Sequence, residues 1–97
     1  MKGEITKIDP LKSSRNKNVS YERVYFRLEN GKFAKTDLVR TYRNYSNWRN
    51  LLRVGNKLGN LKIKQVNGLI TVDADSVPIL LSIPQVIVQA PKQESLL

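Results

Sequence analysis

An alternating stretch over residues 20–35 constrains the fold of this chain more than any other feature. Val24, Phe26 and Leu28 share one parity, and because side chains of an extended segment alternate between two faces, they predict a buried strand face. The opposite parity carries tyrosines and arginines, namely Tyr21, Arg23, Tyr25 and Arg27. Solvated strand faces usually carry Thr, Ser, Lys and Glu, whereas aromatic rings and cations suit stacking on bases and neutralising phosphates. The segment is therefore predicted to be a nucleic-acid platform.

The turn after this strand decides which side chains join the platform. The sequence Glu29-Asn30-Gly31 leads into a second strand over residues 32–39. A two-residue type I′ turn would place Lys35 in the core, whereas a three-residue loop with Gly31 in the left-handed position places Phe33 and Lys35 outward. We prefer the three-residue loop, which extends the aromatic and basic strip across two strands.

The charge of the chain is large and unevenly placed. Its 97 residues suit one domain with one core, and its formal net charge is +9. Residues 1–64 hold sixteen Lys and Arg against five acids, whereas residues 65–97 hold Lys92 against three acids. A field of this kind favours polyanions, either nucleic acid or an anionic membrane surface. No apolar run is long enough to span a membrane, and the charged start lacks the apolar stretch of a signal peptide. We therefore expect a soluble, cytoplasmic protein, in the host cytoplasm if the source is viral.

The residue types that are missing exclude most catalytic mechanisms. Without cysteine or histidine, the chain has no ligands for a usual zinc site, no disulfide and no nucleophile paired with histidine. Asp73 and Asp75 form the one close pair of acids, which is enough to suggest a Mg²⁺ site on a strand. We interpret them instead as solvated residues at a strand end, and predict neither an enzyme nor a cofactor.

The segment before the hairpin predicts a bent strand followed by a basic loop. Residues 3–9 suit a strand that Pro10 ends, and the opposite parity of Ile5 and Ile8 requires a bulge or a sharp bend. The loop over residues 12–18 has no apolar residue, and we expect it to be mobile. Its cations include Arg15 and Lys17. Composition fits a plain solvated loop and a ligand-contacting loop equally well.

The segment after the hairpin predicts a short helix and two more strands. Ser46 is placed to cap a helix over residues 47–54, in which Trp48 would be a core plug. A fourth strand is expected over residues 57–66, with Lys62 and Lys64 outward, and a fifth over residues 69–75 after an Asn-Gly turn.

The apolar stretch over residues 77–88 has two interpretations. Pro78 and Pro84 interrupt it, and prolines confine such strands to sheet edges. It fits a strap across the barrel, and it also fits a subunit interface such as that of a homodimer, because an uncharged apolar edge on a monomer invites aggregation. Both alternatives stay open.

Five strands with a helix between the third and the fourth is the order of the OB-fold, a small Greek-key barrel. The chain resembles the nucleic-acid-binding members of that fold in three segments: Gly3-Glu4-Ile5, Tyr25-Phe26-Arg27-Leu28-Glu29-Asn30-Gly31 and Trp48-Arg49-Asn50-Leu51-Leu52-Arg53-Val54-Gly55. Over residues 3–75 it is most similar to small single-stranded DNA-binding proteins of phages and mobile elements. The resemblance implies a mainly β, five-stranded OB-fold barrel in residues 1–88, with one short helix between strands 3 and 4, and a flexible tail in residues 89–97.

The resemblance also implies which residues bind the ligand. The face of strands two and three would contribute Tyr21, Arg23, Tyr25, Arg27, Phe33 and Lys35, and the loops after strands one and four would contribute Arg15, Lys17, Lys62 and Lys64. The implied function is sequence-tolerant binding of single-stranded DNA in replication, recombination or repair. An RNA-binding protein is the nearest alternative, because stacking and phosphate contacts do not distinguish the sugars. A protein-interaction adaptor or virion structural component is a third, in which the segment after Val77 would bind partners.

The C-terminal pentapeptide suggests a protein partner. Gln93-Glu94-Ser95-Leu96-Leu97 resembles the peptide by which bacterial replication proteins dock on the sliding clamp, with Leu96 and Leu97 filling an apolar pocket and Gln93 at its rim. The alternative is an ordinary disordered terminus. The long acidic tail of many bacterial members is absent, since Glu94 is the single acid there, which argues against partner recruitment by such a tail.

Overall fold

A computed structural model describes residues 1–84 of the chain and shows a mainly β architecture. Within these residues lie seven strands and one short 3-10 helix rather than five strands and an α-helix. Their bounds are β1 Gly3–Lys12, β2 Ser20–Leu28, β3 Phe33–Val39, the 3-10 helix Arg43–Asn47, β4 Lys57–Gly59, β5 Ile63–Val66, β6 Leu69–Val72 and β7 Ile79–Ser82. No helix of this region is long and apolar enough to cross a membrane.

All seven strands form one curled sheet, in the order β5-β6-β3-β2-β1-β4-β7. The pairing of β3 with β6 is parallel, and the other pairings are antiparallel. The predicted single strand over residues 57–66 is therefore wrong, because β4 pairs with β1 whereas β5 pairs with β6. Asn60, which has φ of 62°, interrupts the predicted strand. Its side-chain amide Nδ2 donates to the Val77 carbonyl oxygen at 2.8 Å. One short chain segment thus links the two sides of the sheet.

A bulge bends β1, as the parity of its isoleucines predicts. Ile5 lies opposite Phe26 and Lys7 lies opposite Tyr25, so Thr6 is the extra residue. Ile5 is fully buried and Ile8 packs partly against the core. The predicted strand end at Pro10 is wrong, since β1 continues to Lys12. Proline is tolerated there because β4 pairs only with the first two residues of β1, which leaves the far side of Pro10 unpaired.

The central hairpin has the predicted three-residue loop. The Leu28 amide donates to the Lys32 carbonyl oxygen at 2.8 Å, and Gly31 has φ of 84°, a conformation that favours glycine. In the resulting register Phe26 lies opposite Ala34 and Tyr25 lies opposite Lys35. The buried face of β2 is confirmed, and so is the outward position of Lys35.

The connector over residues 40–56 does not form the predicted α-helix. Ser46 lies inside the 3-10 helix, where its hydroxyl donates to the Arg43 carbonyl oxygen instead of capping. Successive turns follow, in which the Trp48 amide donates to Tyr45 and the Leu51 amide donates to Trp48. An eight-residue helix is marginal in water, and Asn47 adds low helix propensity, so tertiary contacts decide the path.

Trp48 is the core plug that the sequence predicts. It is fully buried, its indole N–H donates to the Ala74 carbonyl oxygen at 2.9 Å, and its ring lies 6.1 Å from that of Phe26. The core consists of Ile5, Val24, Phe26, Leu28, Ala34, Leu38, Trp48, Leu58, Leu61 and Val72. The connector therefore closes one end of the curled sheet.

The last described elements are a tight turn and an edge strand. Asn67 and Gly68 both have positive φ, as a two-residue hairpin turn requires. The strand that follows ends at Val72 rather than at residue 75, because the Asp73 carboxylate accepts the Asp75 amide N–H and bends the chain. Beyond it, β7 pairs with β4 at the sheet edge with its side chains exposed. The predicted edge position is confirmed, and residues 85–97, with the proposed clamp peptide, lie outside the described part.

Candidate nucleic-acid interface

One continuous row of side chains crosses five strands on the outer face of the sheet. Cross-strand partners follow one another from β1 to β5, and we call this set the central row. It consists of Lys7, Tyr25, Lys35, Thr71 and Lys64. Because neighbouring strands lie about 4.8 Å apart, the row is on the order of 19 Å long. It runs across the strands, and three of its five members are cations.

The central row combines an aromatic ring with accessible charges. The Lys7 ammonium lies 5.6 Å from the centre of the Tyr25 ring. Lys7 and Lys64 have carboxylates at 3.5 Å, Asp9 and Asp73 respectively. Both lysines are more than half exposed, and exposed ion pairs contribute little free energy. Both ammoniums are therefore available to a polyanion.

A second row of side chains lies beside the central row, two residues away along the strands. We call it the apolar row, although it begins with a cation; it consists of Arg27, Phe33, Leu69 and Val66. Arg27 lies opposite Phe33, and Val66 lies opposite Leu69. Since Lys35 is level with Thr71 on the parallel strands, Phe33 and Leu69 are also level. Their exposed fractions are 71% for Phe33, 64% for Leu69 and 54% for Val66. Phe33 presents an aromatic surface on which a base can stack, and Leu69 and Val66 add apolar surface beside it.

An acidic row lies on the other side of the central row, where Arg23 stands between Asp9 and Asp37. The Arg23 guanidinium donates to both carboxylate oxygens of Asp37, Nε at 2.8 Å and Nη2 at 3.2 Å. This hydrogen-bonded pair raises the pKa of Arg23 above its usual range. Arg23 thus lies on the predicted face with its charge already engaged.

The remaining predicted site residues are spread around these rows. Phe33, Arg27, Tyr25, Lys35 and Lys64 fall on the central and apolar rows. The Asp73 amide donates to the Lys62 carbonyl oxygen at 2.7 Å, which puts Lys62 on the acidic side. Tyr21 lies opposite Val39, one step beyond the acidic row.

The basic loop is folded on itself at the far end of the hairpin. The Ser13 amide donates to the Val19 carbonyl oxygen at 2.9 Å, and the Ser13 hydroxyl accepts the amide of Arg15 at 3.2 Å. Arg15 and Lys17 are exposed, on the Tyr21 side of the sheet. The acidic row therefore separates the loop from the central row.

Sequence reasoning missed Lys7, Thr71 and Tyr42. The parity of Lys7 is hidden by the bulge, and Thr71 is not distinctive by type. Tyr42 follows β3 and is 64% exposed. The sequence does contain a signal that points to the region of Tyr42 and Thr71: residues 38–72 contain seven Lys and Arg and no acid.

A partly buried polar network attaches the connector to β2. The Tyr45 hydroxyl donates to Oε1 of Glu22 at 2.7 Å, and Arg40 donates to Oε2 at 2.9 Å. Burial, followed by the hydrogen bond to Glu22, raises the pKa of Tyr45. The network holds this connector against β2, and neither Tyr45 nor Arg40 belongs to the central row.

The Asp73 carboxylate lies 3.5 Å from the Lys64 ammonium of the central row. The backbone N–H of Asp75 lowers the pKa of Asp73, and Lys64 adds to the effect. Asp73 is therefore ionised at neutral pH.

Comparison of the chain with protein-family models, with curated proteins and with solved structures finds no match.

Proposed function

We propose that this chain is an OB-fold protein that binds single-stranded DNA without strong sequence preference. The observation that carries the proposal is the central row, which aligns Lys7, Tyr25, Lys35 and Lys64 across five strands beside exposed apolar side chains. Proteins that bind single strands combine a cationic track for the backbone with surfaces on which bases stack. The two rows supply both features side by side.

The strand connections support the OB-fold interpretation. If β4 and β5 are the two parts of one interrupted strand, the ring runs β1-β2-β3-β6-β5/β4 and returns to β1. That order is the one expected of a five-stranded Greek-key barrel, to which β7 would be an addition. The connector between β3 and β4 occupies the place of the usual helix.

Phosphate contacts and base stacking would both draw on the central and apolar rows. Phosphates are expected along the central row, where Lys7 and Lys64 are more than half exposed. Bases are expected on Tyr25 and Phe33, which offer a π surface that every base can use. Backbone neutralisation releases counterions, so affinity is expected to fall with salt. Replication, recombination or repair in a phage or mobile element is the process that fits such a protein.

Fluorescence anisotropy with labelled oligonucleotides tests the proposal. Oligo-dT, oligo-U and a DNA duplex of equal length would each be titrated at two salt concentrations. We expect preference for the single strands, a site size of about 4–16 nucleotides and a clear negative salt dependence. Equal affinity for the duplex would contradict stacking, and preference for oligo-U would favour the RNA-binding alternative.

A second candidate function is that of an adaptor or virion component. Val77, Ile79 and Ile83 are each more than half exposed around β7, which favours a protein partner such as a second copy of the chain. Analytical ultracentrifugation with and without oligonucleotide would distinguish a dimer formed here from a monomer.

The clamp-docking tail remains a separate proposal. A synthetic peptide of residues 93–97 is expected to bind a bacterial sliding clamp weakly, because a few anchoring side chains must offset its ordering. Deletion of Leu96 and Leu97 should abolish clamp binding by the whole chain and leave its affinity for single strands unchanged. Clamp binding that survives the deletion would contradict it.

A further inference from the structure

A cleft of about 430 Å³ opens at the side of the central row, between β3 and β6. Lys35, Thr71 and Lys64 of the central row line it on one side, and Tyr42 and Asp75 line it on the other. Volumes of this order hold a small molecule. A strand that follows the central row would pass the mouth of this cleft with its phosphates on the two lysines.

Tyr42 lies at the cleft with its ring unburied. Its backbone N–H donates to the Val39 carbonyl oxygen at 3.0 Å, which fixes the main chain, whereas the side chain is 64% exposed. The same residue lines a second depression that includes Arg43 and Asn44. An exposed tyrosine beside a cationic track is suited to stacking on a base.

The far side of the cleft is rich in hydrogen-bond acceptors. Oδ1 of Asp73 accepts the amide of Asp75, and Oδ1 of Asp75 accepts Nδ2 of Asn44 at 3.0 Å. These contacts hold Asp75 in place. Within residues 1–84, Oδ2 of Asp75 has no hydrogen-bond partner. A carboxylate oxygen has further acceptor capacity, so Asp75 is oriented to receive donors.

The four bases differ in what they offer such an acceptor. Guanine presents adjacent N1–H and N2–H groups on its Watson–Crick edge, and adenine and cytosine present one amino group. Thymine presents a single N–H between two carbonyl oxygens, which a carboxylate would face unfavourably. Asp37 also lines the cleft, but its carboxylate already accepts hydrogen bonds from Arg23. We therefore expect Asp75 to be the acceptor that determines which base is preferred.

We propose that this cleft is a base-reading subsite, in which one base of the bound strand stacks on Tyr42 and donates its Watson–Crick N–H groups to Asp75, with guanine preferred over thymine. The proposal rests on the single-strand binding argued above and adds one selective position to an otherwise tolerant track. Because the strand can slide, one guanine in a thymine background is enough to occupy the subsite.

The test measures affinity by anisotropy for four oligonucleotides. They are dT12 and three versions of dT12 in which one internal thymine is replaced by dG, dA or dC. We expect about tenfold tighter binding with dG than with dT alone, and intermediate values for dA and dC. Equal affinity for all four overturns the subsite and leaves the proposed function standing. Failure of every oligonucleotide to bind overturns both.

Variants test whether Asp75 and Tyr42 select the base. The quantity compared is the ratio of the affinity for the dG-containing oligonucleotide to the affinity for dT12, because a general loss of binding lowers both affinities and leaves their ratio unchanged. Asp75→Asn should bring the ratio close to one, and Tyr42→Ala should lower it, whereas Tyr42→Phe should keep it. Asp9→Asn is the matched control, since Asp9 lies on the same sheet face outside the cleft, and it should also keep the ratio. A ratio that survives Asp75→Asn would place the selection elsewhere and overturn the assignment.

Discussion

At the scale of single residues, one bulge residue and one loop residue align the side chains of the central row. Thr6 is the extra residue of β1, and without it Lys7 would lie out of step with Tyr25. Gly31 also sets a register, that of the hairpin: its positive φ forms the loop that places Lys35 on the outer face opposite Tyr25. Both depend on backbone geometry at a single position.

Stacking can be separated from charge at Phe33 and Tyr25. Phe33→Ala and Tyr25→Ala should each weaken single-strand binding by about 1–3 kcal/mol, since each removes one stacking surface. The slope of log affinity against log salt should barely change, because no phosphate contact is lost. Anisotropy titrations at several salt concentrations measure both quantities. A flatter slope in these variants would show that the rings do not stack.

Lys35 and Arg23 form a matched pair of cations on neighbouring rows. Lys35→Ala should weaken binding and flatten the salt slope by about 0.7 if it contacts one phosphate of a single strand. Arg23→Ala should change the slope less, because Asp37 already neutralises that guanidinium. The opposite order would assign the phosphate track to the acidic row.

At the scale of elements, the connector over residues 40–56 has only short hydrogen-bonded turns of its own, and side chains attach it to the sheet. Trp48 anchors it in the core, and Tyr45 anchors it to Glu22 on β2. An element of this kind takes its shape from the cavity that it fills. Its stability should therefore depend on those two residues.

Trp48→Ala should be strongly destabilising. Removal of a fully buried indole leaves a cavity, and such changes cost about 3–5 kcal/mol of unfolding free energy. Urea denaturation followed by circular dichroism measures the loss, and Trp48→Phe should cost less. The wild-type fluorescence should be blue-shifted and little changed by oligonucleotide. Red-shifted emission quenched by DNA would instead place Trp48 at the interface.

The Tyr45 and Glu22 contact predicts a dependence of stability on alkaline pH. The folded pKa of Tyr45 lies above its unfolded value of about 10. Its contribution is therefore fully present below pH 10 and is lost as the pH rises through the folded pKa. Tyr45→Phe should lower the unfolding free energy by about 1 kcal/mol at pH 7 and reduce this alkaline loss. Equal pH dependence in the two proteins would contradict the assignment.

At the scale of the whole molecule, the interruption at Asn60 lets one segment pair with both sides of the curled sheet. The segment pairs with β1 up to Leu58 and with β6 from Ile63 onward. The central row crosses to β5 because β5 lies beside β6. The topology of the molecule and the length of the interface therefore share one cause.

Asn60→Val should destabilise the fold because a β-branched residue at φ of 62° is strained, at a cost of about 1–3 kcal/mol. Asn60→Gly relieves the strain and loses only the hydrogen bond to Val77, so it should cost less. Thermal and urea denaturation of both variants test this order. Similar losses for valine and glycine would show that the backbone conformation there is not restrictive.

The hairpin, its loop, the bulge in β1, the parity of the hairpin faces and the burial of Trp48 were all predictable from the sequence. These features follow from local rules, namely alternation along a strand and the φ angles that glycine permits. The edge position of the segment after Val77 was predictable in the same way, from its prolines. The five site residues that fall on the two rows followed from the same alternation.

The other features depend on contacts between distant parts of the chain. The tertiary structure divided the predicted fourth strand at Asn60, replaced the α-helix by turns around Trp48 and joined Lys7 and Lys64 to one row across strands distant in sequence. It also engaged Arg23 with Asp37 and brought Tyr42 beside Asp75. These outcomes depend on which strands pair and on which side chains fill shared space, and no local pattern encodes contacts between residues that are far apart along the chain.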